Sequence, residues 1–202
     1  MKHVYILLDR SGSMESLWTE ALNSINNYVN ELGRSTRVTF AAFDSDGYDV
    51  LRRKKPAGEW KDITRDDIAP RNLTPLYDAT AQMLNEMFED DPRKAVFVVM
   101  TDGFENASKE YRLSDVKAKL NKAKENDWAV VFMGAEFDKV EEVSKSLGIS
   151  RASTINVKRN KLFDTYSSMA VKTECYFKET GLDSAVRTMS WSADEKAEAE
   201  GK

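Results

Sequence analysis

Residues 4–13 read Val-Tyr-Ile-Leu-Leu-Asp-Arg-Ser-Gly-Ser. Five apolar residues in a row are the signature of a strand buried on both faces. The run stops abruptly at Asp9, and two hydroxyls follow at Ser11 and Ser13. The polar cluster therefore lies at the strand's carboxyl end, where open α/β sheets place their ligands. One carboxylate and two hydroxyls on a tight turn form a set of hard oxygen donors. Such a set suits Mg²⁺, Mn²⁺ or Ca²⁺ and not a soft metal.

Outward from this stretch, strand-like and helix-like patterns alternate. A strand over 3–9 is followed by a helical pattern over 15–33, with apolar positions at Leu17, Trp18, Leu22, Ile25, Tyr28, Val29 and Leu32. A second strand spans 36–43. Asp44 to Gly47 read as a turn, and Tyr48 to Arg53 as a short antiparallel strand along the edge. Residues 54–73, with Pro56, Gly58 and Pro70, read as irregular. A helix is predicted from Pro75 through Met87. Lys94 to Thr101 holds Ala-Val-Phe-Val-Val-Met, the strongest strand signal in the chain. Then come a helix over 112–126, a strand over 128–134, a helix over 138–147, a weak strand over 152–157 and a last helix over 160–180. This order predicts a doubly wound, mostly parallel α/β sheet with one antiparallel edge strand and helices on both faces. Residues 1–182 are read as one domain. Residues 183–202 are read as a partly disordered tail, whose Ala- and Glu-rich end from Ser192 to Lys202 reads as a solvated helix turn or disorder, with disorder favoured.

Composition narrows the function classes. The chain has 202 residues, of which 41% are hydrophobic, enough for a sizeable core. Its formal net charge of −4 argues against generic nucleic-acid binding, and the run Arg52-Arg53-Lys54-Lys55 reads as a solvated edge. The single cysteine, Cys175, excludes an intrachain disulfide; its neighbours suggest a half-buried helix position in a protein of a reducing compartment. Neither a signal-peptide pattern nor an apolar run of about 18 residues is present, so a cytoplasmic location without membrane contact is expected.

Three segments bring oxygen donors to the sheet-to-loop junctions: Asp9 to Ser13, Thr74 ahead of Pro75, and Asp102 in Thr101-Asp102-Gly103. Taken singly, each has a plain structural reading: helix N-caps for Ser13 and Thr74, an Asx-turn for Asp102. Together, in this order, they resemble the von Willebrand factor A domain family. Asp9-Arg10-Ser11-Gly12-Ser13 matches its Asp-x-Ser-x-Ser motif, Thr74-Pro75-Leu76-Tyr77-Asp78-Ala79 its threonine loop, and Thr101-Asp102-Gly103 its distal aspartate. The resemblance covers about residues 1–180. It implies a Rossmann-like fold and a complete metal-ion-dependent adhesion site. There Ser11, Ser13 and Thr74 bind the ion directly, and Asp9 and Asp102 act mainly through water or as second acceptors. Three neutral hydroxyls would leave the ion electrophilic toward an Asp or Glu carboxylate of a protein partner, with Mg²⁺ expected before Mn²⁺ or Ca²⁺. Relatives of this compact form also suggest a system linked to AAA+ ATPases or to assembly.

Residues read as the partner-binding rim are Arg10, Asp44, Phe104, Glu105 and Asn106. Arg10 is read as exposed. Asp44, with Asp46, is also read as a turn cap, and Phe104 as either a contact residue or local packing. Trp18 and Trp60 carry no reading beyond packing. The rival to a binding module is a metal-dependent phosphatase or hydrolase with Asp9 as nucleophile. Such enzymes usually carry a second acid two residues on, where this chain has Ser11. The only histidine, His3, opens a strand and reads as structural, and no phosphate-binding glycine loop is present. A third reading is an assembly subunit whose metal site only ties loops together.

Overall fold

The computed structural model describes residues 1–181 and 183–202, so Leu182, the last residue of the expected domain, lies outside the described residues. Among the described residues, six strands form one sheet: β1 (Lys2–Asp9), β2 (Arg37–Asp44), β3 (Gly47–Pro56), β4 (Lys94–Thr101), β5 (Ala129–Ala135) and β6 (Thr154–Val157). Their spatial order is β3-β2-β1-β4-β5-β6. All pairs are parallel except β2 with β3. The doubly wound sheet with one antiparallel edge is the architecture the alternating pattern predicts. From β1 the chain winds outward to β2 and then returns to place β4 on the other side. That reversal makes the β1/β4 junction the topological switch point, where sheets of this kind open a crevice.

Val4 to Leu8 are wholly buried, and their side chains alternate between two apolar layers. Val4, Ile6 and Leu8 face α1 (Trp18–Glu31) and α5 (Leu162–Lys178). Tyr5 and Leu7 face α2 (Leu76–Asp90), α3 (Leu113–Glu125) and α4 (Val140–Ser146). A strand with no solvent side has to be apolar throughout, which is why the run ends where the chain leaves the sheet at Asp9. His3, at the amino end of β1, is buried; its Nε2 lies 2.9 Å from Thr39 Oγ1 and its ring stacks on Tyr5.

Several expectations change in the structure. The helical pattern that starts at 15 splits into a 3-10 turn over Gly12–Leu17 and then α1. The edge strand is longer than expected, running to Pro56 through register shifts near Phe40. Its basic residues are partly spent on α2, in Arg53–Glu86 and Lys54–Asp90 ion pairs. Trp18 and Trp60 do more than pack. The Trp18 Nε1–H donates to Ile68 O at 2.9 Å, and the Trp60 Nε1–H to Asn26 Oδ1 at 3.1 Å. With the Asn26 amide bonded to both Ile63 N and Ile63 O, they tie the irregular 57–73 segment to α1. Cys175 is exposed on α5, not half-buried, because its neighbours Tyr176 and Phe177 take the core-facing side of that turn.

Residues 183–202, expected as a tail that is partly disordered, form α6 (Ser184–Met189) and α7 (Ala193–Ala199), the second within the 192–202 end where disorder is the favoured expectation. Trp191 is buried, its backbone N–H donates to Ala152 O at 2.8 Å, and Lys158 N donates to Ala199 O at 2.9 Å. A capping box starts α7: Ser192 Oγ accepts from Glu195 N, and Glu195 Oε2 accepts from Ser192 N. One buried tryptophan supplies the apolar anchor that the polar composition of the segment hides.

Candidate metal centre

The switch point brings the loop after β1 beside the loop after β4. Asp9 is wholly buried, and both of its carboxylate oxygens are engaged. Oδ1 accepts from Ser11 N at 2.7 Å, which folds the motif into a tight turn, and Oδ2 accepts from Thr101 Oγ1 at 2.6 Å. Asp9 therefore links the two central strands. Ser11 Oγ lies 3.2 Å from Ser13 Oγ, and the Ser13 hydroxyl donates to Asp102 Oδ1 at 2.8 Å. Burial pushes the Asp9 carboxyl up to about 6, with the nearby Asp102 charge adding to the rise and the Thr101 and Ser11 hydrogen bonds opposing it. Burial also raises Asp102, against its bond from Ser13. Among the described residues, no three His, Cys, Asp or Glu side chains cluster as a ligand set; the cluster described here consists of two serine hydroxyls and two aspartates.

Thr74 arrives on a separate loop and is buried. Its loop lies on the first one through backbone bonds: Gly12 N to Asn72 O at 3.0 Å and Arg71 N to Arg10 O at 2.7 Å. Asn72 takes a left-handed conformation (φ 59°), which asparagine tolerates better than most residues. On the other side, Thr74 N donates to Asn106 Oδ1 at 2.9 Å, and Asn106 N donates to Thr74 O at 3.1 Å.

The structure redistributes the five rim residues. Arg10 is not exposed; it is buried, with Nη2 2.5 Å from Asp49 Oδ2 and Nε 2.5 Å from Asp44 Oδ2. The Nε–H is not aimed at that oxygen, so this second contact is ionic and not a hydrogen bond. Asp44 is also buried, so it is unavailable as a rim contact. Its reading as a turn cap holds, since Oδ1 accepts from Asp46 N at 2.6 Å. Glu105 faces inward. Its carboxylate accepts from Tyr77 N (2.8 Å), Ala107 N (2.9 Å), Ser108 N (2.7 Å) and Ser108 Oγ (2.7 Å), which fixes the start of α2 to the loop after β4. Asn106 is exposed but clamps Thr74 as described. Phe104 is 46% exposed, packs edge-on against Phe137 and lies under Lys139 Nζ. Leu73, directly before Thr74 in the chain, is 54% exposed, an exposed apolar side chain that the sequence reading does not include in the rim.

The von Willebrand factor type A domain family matches residues 3–178. No curated protein matches the chain. Among solved structures the chain is similar to a von Willebrand factor type A protein from Catenulispora acidiphila, with a TM-score of 0.61 and 16% identity over 86% of this chain and 43% of that one. It is similar to the proximal thread matrix protein 1 of the mussel byssus with a zinc-occupied MIDAS motif, with a TM-score of 0.61 and 15% identity over 84% and 44%. The pilus adhesin SpaC of Lactobacillus rhamnosus GG aligns with a TM-score of 0.64 and 13% identity over 85% and 30%. The chain thus spans less than half the length of each of these three proteins. Their low identities establish the shared fold, and the family match covers most of the sequence. With its doubly wound sheet and the Asp9, Ser11, Ser13 and Asp102 cluster at the switch point, the chain belongs to the von Willebrand factor type A domain family.

Proposed function

We propose that this protein is a divalent-metal-dependent binding module that engages a carboxylate of a protein partner. The single observation that carries the reading is the spacing of the two serine hydroxyls, with the Asp102 carboxylate directly behind one of them. Neighbouring ligands of an octahedral ion at 2.0–2.1 Å lie about 3 Å apart. The Ser11 Oγ–Ser13 Oγ separation is 3.2 Å, and Asp102 Oδ1 takes the Ser13 hydroxyl at 2.8 Å. An all-oxygen donor set favours Mg²⁺, with Mn²⁺ and Ca²⁺ as alternatives. The zinc in the mussel protein's motif supports the use of this position for a divalent ion. Ser11, Ser13 and Thr74 would hold the ion, with Asp9 and Asp102 supplying negative charge and orienting hydroxyls. When bound, the ion supplies an electrophilic point for an outside Asp or Glu carboxylate.

The chain's own residues favour binding over catalysis. Both Asp9 oxygens are committed inside the fold, so the phosphatase reading lacks an available nucleophile. His3 lies six residues down the same strand, about 20 Å away, and supplies no base. Among the described residues no helix is long and apolar enough to cross a membrane. The proposal includes an intracellular setting, which suits the exposed free thiol of Cys175. An AAA+-linked or assembly system is the first partner class to probe, and nucleic acid is not expected.

Calorimetric titration with Mg²⁺ and Mn²⁺ tests the reading. Wild type is expected to bind one ion, and folded Asp9→Ala to lose binding. Unchanged affinity in that variant would sink the assignment. Partner capture from the native cell should then require Mg²⁺ and disappear with EDTA. If EDTA lowers only the melting temperature, the site is a structural tie.

A further inference from the structure

We propose that Asp44 is a positioning residue for the metal centre, holding the threonine loop in register with the Asp9–Ser13 loop; this rests on the metal-dependent reading above. Asp44 stands at the end of β2, one strand away from the switch point, and contributes no donor to the cluster itself. Its Oδ1 caps its own turn. Its Oδ2 does something a turn cap does not need. It takes Arg71 Nε–H at 2.7 Å and lies 2.5 Å from Arg10 Nε. Arg10 sits inside the serine motif, and Arg71 opens the segment that ends in Thr74. One carboxylate oxygen therefore joins the two chain segments that supply the hydroxyl donors.

Other contacts run the same way. Arg71 N donates to Arg10 O, Ser45 N donates to Leu73 O at 3.1 Å, and Asn72 Nδ2 donates to Asp46 Oδ2 at 2.6 Å. The β2–β3 turn thus grips residues 71–73 from one side while the motif loop holds them from the other. Charge points to Asp44 as the key member. The two guanidiniums face two carboxylates, but Asp49 has a side chain 55% exposed, whereas Asp44's is wholly buried. Removing the Asp44 charge leaves the buried Arg10 cation, one residue from both Asp9 and Ser11, with only a solvent-screened partner. Both consequences, a loosened threonine loop and an uncompensated cation, weaken a cation site.

The test is Mn²⁺ titration followed by electron paramagnetic resonance. It uses the full chain as wild type, Asp44→Asn, Arg71→Gln, Thr74→Ala and the Asp44→Asn/Thr74→Ala double variant. Circular dichroism and melting are recorded alongside. Asp44→Asn is expected to weaken Mn²⁺ binding about tenfold or more, in the range seen for groups that orient metal ligands. Arg71→Gln should cost several-fold. In the Thr74→Ala background, Asp44→Asn should cost much less than it does alone, because the group it positions is gone. A merely structural role would lower melting and leave the Mn²⁺ affinity of the folded variant unmoved. Affinities of Asp44→Asn and Arg71→Gln within about twofold of wild type would overturn this inference alone. So would an equal cost of Asp44→Asn in the two backgrounds. Absence of Mn²⁺ binding by wild type would overturn it together with the metal reading. If Asp44→Asn fails to fold, Arg71→Gln decides, since its side chain is half-exposed.

Discussion

The two halves of the candidate centre are built differently. The Asp9–Ser13 and Asp102 half hangs directly from β1 and β4, adjacent central strands, and Asp9 bonds across them to Thr101. The Thr74 half hangs from no strand. It follows the irregular 57–73 segment, and its loop is held beside the serine motif by side-chain clamps: Asp44 through Arg71, Asn106 on its backbone, and Glu105 on the start of α2. Sheet geometry fixes the first half by pairing that the whole core enforces. The second half is fixed by a few polar contacts whose individual worth is about 1 kcal/mol. A binding site joining a rigid half to a clamped half can be tuned through the clamps without disturbing the core.

The rigid half breaks most visibly at Asp9. Its raised pKa, 3.8 to about 6, means that the native state holds its proton more tightly than the unfolded chain. Stability without metal therefore falls as pH rises from about 4 to 6, and the cost stays in full above that. Asp9→Asn removes the charge. Its amide can accept from Ser11 N and donate to Thr101 Oγ1, whose own hydroxyl then turns to Gly103 O, 3.3 Å away. The metal-free variant is expected to be more stable than wild type at pH 7 by of order 2 kcal/mol, with the gain gone near pH 4. Melting curves across pH in EDTA measure this, and a less stable variant at pH 7 would show that the carboxylate is not a strained member of the core.

On the clamped half, Glu105→Ala strips acceptors from three backbone N–H groups and one hydroxyl. The expected loss is about 2 kcal/mol, or roughly 4–8 °C in melting temperature. Asn106→Ala removes one acceptor from Thr74 N at an exposed position. It should cost about 1 kcal/mol or less in urea unfolding, yet weaken Mn²⁺ binding measurably. If Asn106→Ala left metal affinity intact while Glu105→Ala reduced it, the clamp would act through α2 alone. Phe104→Ser should be the mildest change, within about 0.5 kcal/mol in stability and without effect on Mn²⁺. Its effect should appear only in Mg²⁺-dependent capture of a partner.

Asp9, Ser11, Ser13 and Asp102 were legible in the sequence because each sits within four residues of an unmistakable apolar strand. Reading the strand places the residue. Thr74 enters the ligand set only through the family resemblance, since nothing local says that its loop returns to the first one, as the Gly12 N–Asn72 O and Arg71 N–Arg10 O bonds make it do. Arg10 shows what local reading misses. An arginine on a loop reads as solvated, and its burial depends on Asp44 and Asp49, over thirty residues away on neighbouring strands. Glu105 was misread for a similar reason, as its donors include Tyr77 N on another element. The tail was partly legible: Ser192 followed by Glu195 is a capping box, a helix-start signal that composition outweighed.

By itself, the order of apolar runs and breaks determined a parallel doubly wound sheet and put the acid-and-hydroxyl cluster at its carboxyl edge, because strand burial and helix amphipathicity are written in local spacing. Only the tertiary structure decided which charged side chains face inward and which loop leans on which. Those outcomes depend on partners far apart in the chain, and a buried charge is tolerated only where folding delivers its counter-charge.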